Sequence, residues 1–273
     1  MSYTIVTSFH PAGLNRYGQR MIDTFDQHWP KSVPLVVYAE DCAPSTPSSR
    51  VEIRDLHACS PDLVAFKVRH RNNPVANGTV AKDTSVPFKD NHFKWDAVRF
   101  SNKVFAVIHA ASTVTTDWMI WLDADTLTFR DVPQDFLASI CDDTAMACYL
   151  GRQEKYHSEC GWVAYNLRHP DLATFMSAWR DLYVQDTLFA LREYHDSFLF
   201  DELRRQFQAR GTRFHNMTPV AGKKGPGHPF IASPLGRYMD HLKGDARKDL
   251  GRSRHSKDAE SYAHHQDLDY WRG

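Results

Sequence analysis

The sequence lacks any run of apolar residues long enough to cross a membrane. Hydrophobic residues make up 42% of its 273 residues. Yet the longest apolar stretches, around 104–111 and 117–122, fall far short of the roughly 18 residues that a membrane-spanning helix needs. The opening MSYTIVTSFHP carries neither a basic leader nor a small-residue cleavage site. The sequence therefore predicts a cytoplasmic protein without a membrane span.

Net charge and paired cysteines are missing as well. Lys plus Arg and Asp plus Glu number 33 each, so the whole chain has no general attraction to nucleic acid or to an anionic membrane. The five cysteines include no CxxC pair and suggest neither a disulfide framework nor a four-sulfur zinc site. A cluster of Cys148, His157 and Cys160 lacks a fourth ligand and the spacing of a zinc ribbon. Free thiols are expected.

Short β-branched or apolar runs alternate with amphipathic stretches, which predicts an α/β protein with helices around a mostly parallel sheet. The predicted strands are 3–9, 34–39, 51–55, 117–122 with a short continuation at 127–129, 145–149 and 162–166. The predicted helices are 19–28, 93–111, 171–191 and 195–208. Residues 71–92 are predicted to form a long exposed loop. These strands and helices form one predicted domain that ends at about residue 217. Residues 218–273 are predicted to wrap around it.

The sharpest local feature is the pair of acids that follows the apolar run DWMIWL. Asp123 and Asp125 are two residues apart, so in an extended segment both carboxylates project to the same side. Two carboxylates this close repel each other unless a cation neutralises their charge. Mg²⁺ and Mn²⁺ prefer such oxygen ligands. The pattern therefore predicts a divalent-metal site at the carboxyl end of a strand. The alternative is one turn-capping Asp and one solvated Asp.

A second chemistry uses a similar acid pair. Phosphohydrolases of the haloacid-dehalogenase type also place two aspartates after a buried strand, with Thr or Val four positions beyond the first. Here that position is Leu127, and the motif follows the fourth or fifth predicted strand rather than the first. This interpretation stays as an alternative.

The third feature is a basic segment at 237–257, which has seven Lys or Arg against three Asp, a local net charge of +4. Within it, a neutral His241 imidazole can complete the coordination of an ion, and Gly244 lets the backbone approach a phosphate. Arg247 or Lys248 can neutralise a diphosphate leaving group. A solvated basic tail is the alternative.

Together these features resemble the glycosyltransferases of the GT-A fold, whose hallmark is an apolar strand that ends in DxD, as in WMIWLDADT. His241, Gly244 and Arg247 are similar to the HxxGxxK element of the retaining glycogenin and lipopolysaccharide-galactosyltransferase group. Arg247 stands at the Lys position of that element, Lys248 follows it, and the usual Pro-Trp is absent. The resemblance implies that Asp123, Asp125 and His241 bind Mn²⁺ or Mg²⁺.

The same resemblance implies a nucleotide-diphosphate sugar donor, with UDP-sugar preferred and GDP-sugar possible, and transfer with retention. It makes 1–217 a GT-A catalytic domain and 218–273 an extension that completes the metal and diphosphate site. The acceptor is open: a saccharide is favoured, and a modified nucleic acid is possible. A module that binds nucleotide sugar without catalysis is a further alternative.

The resemblance also assigns roles to other positions. Asp196, also a candidate helix N-cap, and Glu159 are the candidate catalytic acids, either of which would serve as base in an inverting enzyme. The candidate substrate-binding residues are Thr7, Ser8, Phe9, Tyr38, Arg99, Lys103, Asp123, Gly161, Gly244, Arg247 and Lys248. The alternatives are ordinary core positions for Phe9 and Tyr38 and a solvated helix face for Arg99 and Lys103.

Overall fold

A computed structural model describes residues 1–83, 85, 92–152, 156–218, 228–253 and 263–272. Parts of the predicted loop 71–92 and of the predicted tail 218–273 therefore lie outside the described residues. The strands are β1 (Tyr3–Phe9), β2 (Leu35–Ala39), β3 (Val51–Asp55), β4 (Trp118–Leu122), β5 (Thr126–Thr128), β6 (Ala147–Leu150), β7 (Glu159–Asn166), β8 (Phe214–Asn216) and β9 (Met239–His241).

The helices of the described residues lie between these strands and after them. They are α1 (Pro11–Gly13), α2 (Gln19–His28), α3 (Leu56–Cys59), α4 (Pro61–His70), α5 (Ala97–Thr113), α6 (Phe136–Ile140), α7 (Leu172–Val184), α8 (Asp196–Gln208), α9 (Pro229–Ala232), α10 (Asp245–Leu250) and α11 (Asp269–Arg272). None of these helices combines the length and the apolar character that crossing a bilayer requires.

Seven strands form the central sheet in the order β3-β2-β1-β4-β7-β6-β8. β3, β2, β1 and β4 run parallel, β7 is antiparallel to both β4 and β6, and β8 is parallel to β6. Helices cover both faces. The predicted α/β class with a mostly parallel sheet is confirmed.

Alternation along β4 shows how the two faces are filled. Met119 and Trp121 pack into the core beneath α4, α5, α7 and α8, whereas Trp118, Ile120 and Leu122 pack into the core beneath α2 and α6. All five side chains are buried. A strand covered on both faces is a continuous apolar run, which explains why WMIWL shows no polar alternation.

The strand predicted at 162–166 begins already at Glu159, and the strand predicted at 145–149 spans Ala147–Leu150. Three other predicted boundaries are wrong for identifiable reasons. The helix predicted at 93–111 begins only at Ala97, because the Asp96 side chain accepts a hydrogen bond from Arg99 N (3.2 Å) and caps it. The helix predicted at 171–191 ends at Val184, where Asp186 adopts a left-handed conformation. The predicted continuation at 127–129 leaves the central sheet, since β5 pairs antiparallel with β9.

Candidate functional site

A tight turn after β4 places Asp123 and Asp125 at the carboxyl end of this central strand. Asp123 N donates to Gly161 O of β7 (2.9 Å), and Thr126 N donates back to Asp123 O (3.1 Å). The chain then enters β5, whose Thr126 lies opposite His241 of β9. Strand pairing therefore brings a histidine from the basic segment to acids more than a hundred residues earlier.

The Asp123, Asp125 and His241 side chains converge. His241 Nε2 lies 3.1 Å from Asp125 Oδ1 and 3.6 Å from Asp123 Oδ2, and the candidate ligand atoms all lie within 4.8 Å of one another. The His241 ring is almost completely buried, and Glu159 Oε1 lies 3.7 Å from its Nδ1. Two carboxylates and an imidazole with a carboxylate behind it suit Mn²⁺ or Mg²⁺ with open positions for a substrate.

Each acid of the pair also contacts a lysine. Asp123 Oδ1 accepts from Lys103 Nζ (2.9 Å) and Trp121 Nε1 (2.6 Å), and Lys248 Nζ lies 2.9 Å from Asp125 Oδ2. Burial raises the pKa of Asp125, but His241 and Lys248 outweigh it and hold that pKa below its usual range. Burial lowers the pKa of His241, but the surrounding carboxylates outweigh it and raise that pKa.

Lys103 connects the candidate metal ligands to a further acid. Its Nζ lies 2.9 Å from Asp123, 2.7 Å from Asp196 Oδ2 and 2.6 Å from Cys160 O, and its side chain is only 14% exposed. Burial lowers the pKa of Lys103, yet the two aspartates raise it well above its usual range. Lys103 is therefore not on a solvated helix face, whereas Arg99, one turn earlier, is exposed.

The two candidate catalytic acids are both buried and both ion-paired. Glu159 Oε2 contacts Arg152 (2.5 Å) and Lys243 (2.6 Å), and Asp196 contacts Lys103. Burial raises the pKa of each acid, but the cations prevail and lower it. The predicted N-cap role of Asp196 is wrong, because Asp196 is the first residue of α8 and His195 caps it.

Gly161 lies beneath the His241 ring. A Cβ added at Gly161 would stand 2.6 Å from His241 Cε1, closer than packed atoms allow, and 3.2 Å from Glu159 Oε1, a tight contact. Gly161 N also donates to Glu159 Oε1 (3.2 Å). Glycine is therefore needed here to seat the histidine, whatever role it has toward a sugar.

We expect Gly161→Ala to reduce affinity for Mn²⁺ by about 10- to 100-fold, as loss of a group that orients a ligand does, because the added methyl displaces His241. Overpacking should also cost about 1–3 kcal/mol in the free energy of unfolding. Calorimetric Mn²⁺ titration and urea unfolding measure the two effects. Gly211→Ala is the control, since Gly211 has φ +96° with open space around it and should lose stability alone. Equal Mn²⁺ affinities in the two variants would contradict this account.

The remaining predicted substrate residues occupy different surroundings. Gly244 has φ +86°, which strongly favours glycine, and it precedes α10, where Arg247 donates to Lys243 O (3.1 Å). Tyr38 is fully buried, and its hydroxyl contacts His109 and Arg54, so it is part of the core. Phe9 is buried too, and its ring packs on Gly18.

Thr7 and Ser8 lie at the end of β1. Thr7 is completely buried, and its hydroxyl has no hydrogen-bond partner among the described residues. Ser8 donates to Glu40 (3.2 Å) beyond the end of β2. Sequence reasoning missed Arg152 and Lys243 as partners of Glu159, and Tyr17, whose ring lies 4.9 Å from Lys248 Nζ. Of these three residues, only Lys243 could have been recognised from the sequence, because it lies in the basic segment.

The chain is similar to solved glycosyltransferase structures. One is mouse xyloside xylosyltransferase 1, at 11% identity over 79% of this chain and 85% of that chain, with a TM-score of 0.47. Another is the galactosyltransferase LgtC with donor and acceptor sugar analogues, at 15% identity over 99% of each chain and a TM-score of 0.46. A third is a glycosyltransferase involved in glycosylation of the major capsid of PBCV-1, at 11% identity over 96% of this chain and all of that chain, with a TM-score of 0.41.

Neither a protein-family model nor a curated protein sequence matches the chain. The similar structures belong to the class of protein that the DxD and basic-segment motifs resemble. Similarities this distant assign no activity, and the function must be argued from the site.

Proposed function

We propose that this protein is a metal-dependent glycosyltransferase that moves a sugar from a nucleotide-diphosphate donor, a UDP-sugar or otherwise a GDP-sugar, to an acceptor. The convergence of Asp123, Asp125 and His241 at the end of a buried strand carries the proposal. Lys103, Lys248 and Lys243 surround these ligands, so the site combines a cation-binding centre with side chains that attract anions. A saccharide is the favoured acceptor, and a modified nucleic acid is the other candidate.

The donor's diphosphate would lie where the acidic centre meets the basic segment. A divalent ion held by Asp123, Asp125 and His241 supplies positive charge to the phosphate oxygens. Lys248, now paired with Asp125, and Arg247 on the same helix add charge from the other side. Residues 218–273 thereby complete the site of the catalytic domain formed by 1–217.

Ion pairing of the two buried acids favours transfer with retention. An inverting enzyme needs a carboxylate whose lone pair is available to take the acceptor proton. Glu159 is ion-paired with Arg152 and Lys243, and Asp196 with Lys103, and these cations lower the pKa of both acids and so weaken them as bases. In the retaining alternative a β-phosphate oxygen takes the proton, and Asp196 stabilises the positive charge that develops on the sugar.

Incubation with a panel of UDP- and GDP-sugars and Mn²⁺ tests the proposed function. Release of free UDP or GDP by the parent protein, but not by a variant without Asp125, is the expected result. Phosphate release from para-nitrophenyl phosphate without turnover of any nucleotide sugar would indicate a phosphohydrolase. Binding of nucleotide sugars without turnover would indicate a non-catalytic module. Either of the last two results would overturn the proposal.

We expect an α-linked donor to give an α-linked product, because ion pairing lowers the pKa of Glu159 and of Asp196 and weakens both as general bases for inversion. NMR of the anomeric proton in the product measures the configuration directly. As a further readout, Asp196→Ala should lower turnover much more than donor affinity, since its charge acts on the transition state. A β-linked product would refute retention and make one of these two acids the general base.

A further inference from the structure

A second group of potential metal ligands lies at the start of α8, outside the Asp123, Asp125 and His241 site. It consists of His157, Glu193 and His195, which we call the His-Glu cluster. Glu193 Oε2 lies 3.0 Å from His195 Nε2 and 3.4 Å from His157 Nε2, and one ligand atom from each residue lies within 4.8 Å of the others. Both imidazoles thus point at the same carboxylate oxygen.

The cluster is enclosed on the side of the protein core. The His195 and Glu193 side chains are 7% and 8% exposed, and that of His157 is 20% exposed. Phe93, Phe100 and Phe198 contact the two imidazole rings. Apolar walls with converging nitrogen and oxygen ligands are the surroundings that hold a metal ion against competition from water.

A carboxylate also stands behind one of the imidazoles. Asp201 Oδ2 lies 3.8 Å from His157 Nδ1, and Asp201 is fixed by Ser158 N (2.9 Å) and Ser158 Oγ (2.6 Å). His157 Nδ1 is buried and has no hydrogen-bond partner among the described residues. A carboxylate that accepts the ring N–H orients a histidine that binds metal through the opposite nitrogen, and Asp201 faces Nδ1 but lies beyond hydrogen-bond distance of it.

The cations beside Glu193 contact one of its carboxylate oxygens, and the imidazoles contact the other. Lys94 Nζ (3.7 Å) and Arg192 Nε (3.4 Å) face the other oxygen, Oε1. His195 Nδ1 accepts from Phe198 N at 3.4 Å, a long hydrogen bond. Metal at His195 Nε2 would place the ring proton on Nδ1 and remove that bond, a small cost beside the binding free energy of a zinc site.

We propose that His157, Glu193 and His195 bind a Zn²⁺ ion. Two imidazoles and one carboxylate form a set that suits Zn²⁺ or Co²⁺ better than the hard ions Mg²⁺ and Mn²⁺, and they leave a fourth position open. The ion would join the segment before β7 to the start of α8. Glu159 is the first residue of β7 and Asp196 is the first residue of α8, so the ion would fix the starts of the two elements that carry the candidate catalytic acids without touching a substrate.

Cobalt titration of chelator-treated protein tests this site, because Co²⁺ bound at low coordination number by histidines absorbs visible light far more strongly than Co²⁺ held mainly by oxygen ligands. We expect one equivalent to give the strong band in the parent and in Asp125→Asn. The band should disappear in His157→Gln and Glu193→Gln. His28→Gln is the matched control, since His28 pairs with Asp131 (2.7 Å) and belongs to no metal-ligand group among the described residues, and it should keep the band.

Thermal unfolding gives a second readout that does not depend on activity. Zn²⁺ should raise Tm in Asp125→Asn, which lacks the first site, but leave Tm unchanged in the double variant Asp125→Asn with His157→Gln, whose circular dichroism in EDTA should match that of Asp125→Asn. Loss of the band in Asp125→Asn with retention in His157→Gln would overturn the proposal. So would the absence of a strong band from the parent. None of these results depends on whether the protein transfers sugars.

Discussion

Asp125→Asn should abolish Mn²⁺-dependent turnover of nucleotide sugars. Loss of a group that merely supports a metal ligand costs about 10- to 100-fold, so loss of a charged ligand should cost about 100-fold or more. Asp125 contacts both His241 and Lys248, and asparagine removes the negative charge from both contacts. Steady-state release of UDP or GDP at saturating Mn²⁺ measures the effect.

Asp142→Asn provides the matched control for this variant. Asp142 also pairs with a cation, Arg213 (2.8 Å), but lies outside the site. Single substitutions usually cost about 0.5–3 kcal/mol in unfolding free energy, so urea unfolding and circular dichroism must show that both variants are folded before their turnover is compared. Full turnover in Asp125→Asn, or full turnover of the parent in EDTA, would exclude the metal-dependent function.

The acid pair and the α/β class are predictable because their signals are local. A strand buried on both faces needs an unbroken apolar run, and WMIWL is such a run with acids directly after it. The helix start at Ala97 also has a local signal, Asp96, but the apolar spacing continues through Phe93 and hides it. Local patterns therefore locate elements better than they locate their ends.

The ion pairs of the site have no local signal. Lys103 lies on an amphipathic helix where a lysine normally faces solvent, and its partners Asp123 and Asp196 come from two other elements. The clash that requires glycine at position 161 likewise arises only when β9 brings the His241 ring against β7. Such contacts depend on how distant segments pack, and one sequence does not contain that information.

Lys103→Met should cause the largest loss of stability of the variants discussed. The substitution keeps most of the apolar volume but removes the cation that lies between Asp123 and Asp196, leaving two partly or fully buried carboxylates without compensation. Removing one partner of a buried ion pair costs about 3–5 kcal/mol. We expect a loss of that size in urea unfolding at neutral pH, measured in EDTA so that metal binding does not contribute.

Two further variants separate this effect from a general loss of packing. Lys31→Met removes an exposed lysine that lies 3.5 Å from Asp26, and an exposed pair should contribute about 0–1 kcal/mol. The double variant Lys103→Met with Asp196→Asn removes one of the uncompensated charges, so it should recover a large part of the loss and stays informative if the single variant does not fold. Equal losses for Lys103→Met and Lys31→Met would show that Lys103 does not hold the two aspartates together. A double variant less stable than Lys103→Met would contradict this account, because it would show that the Asp196 carboxylate remains favourably paired without Lys103.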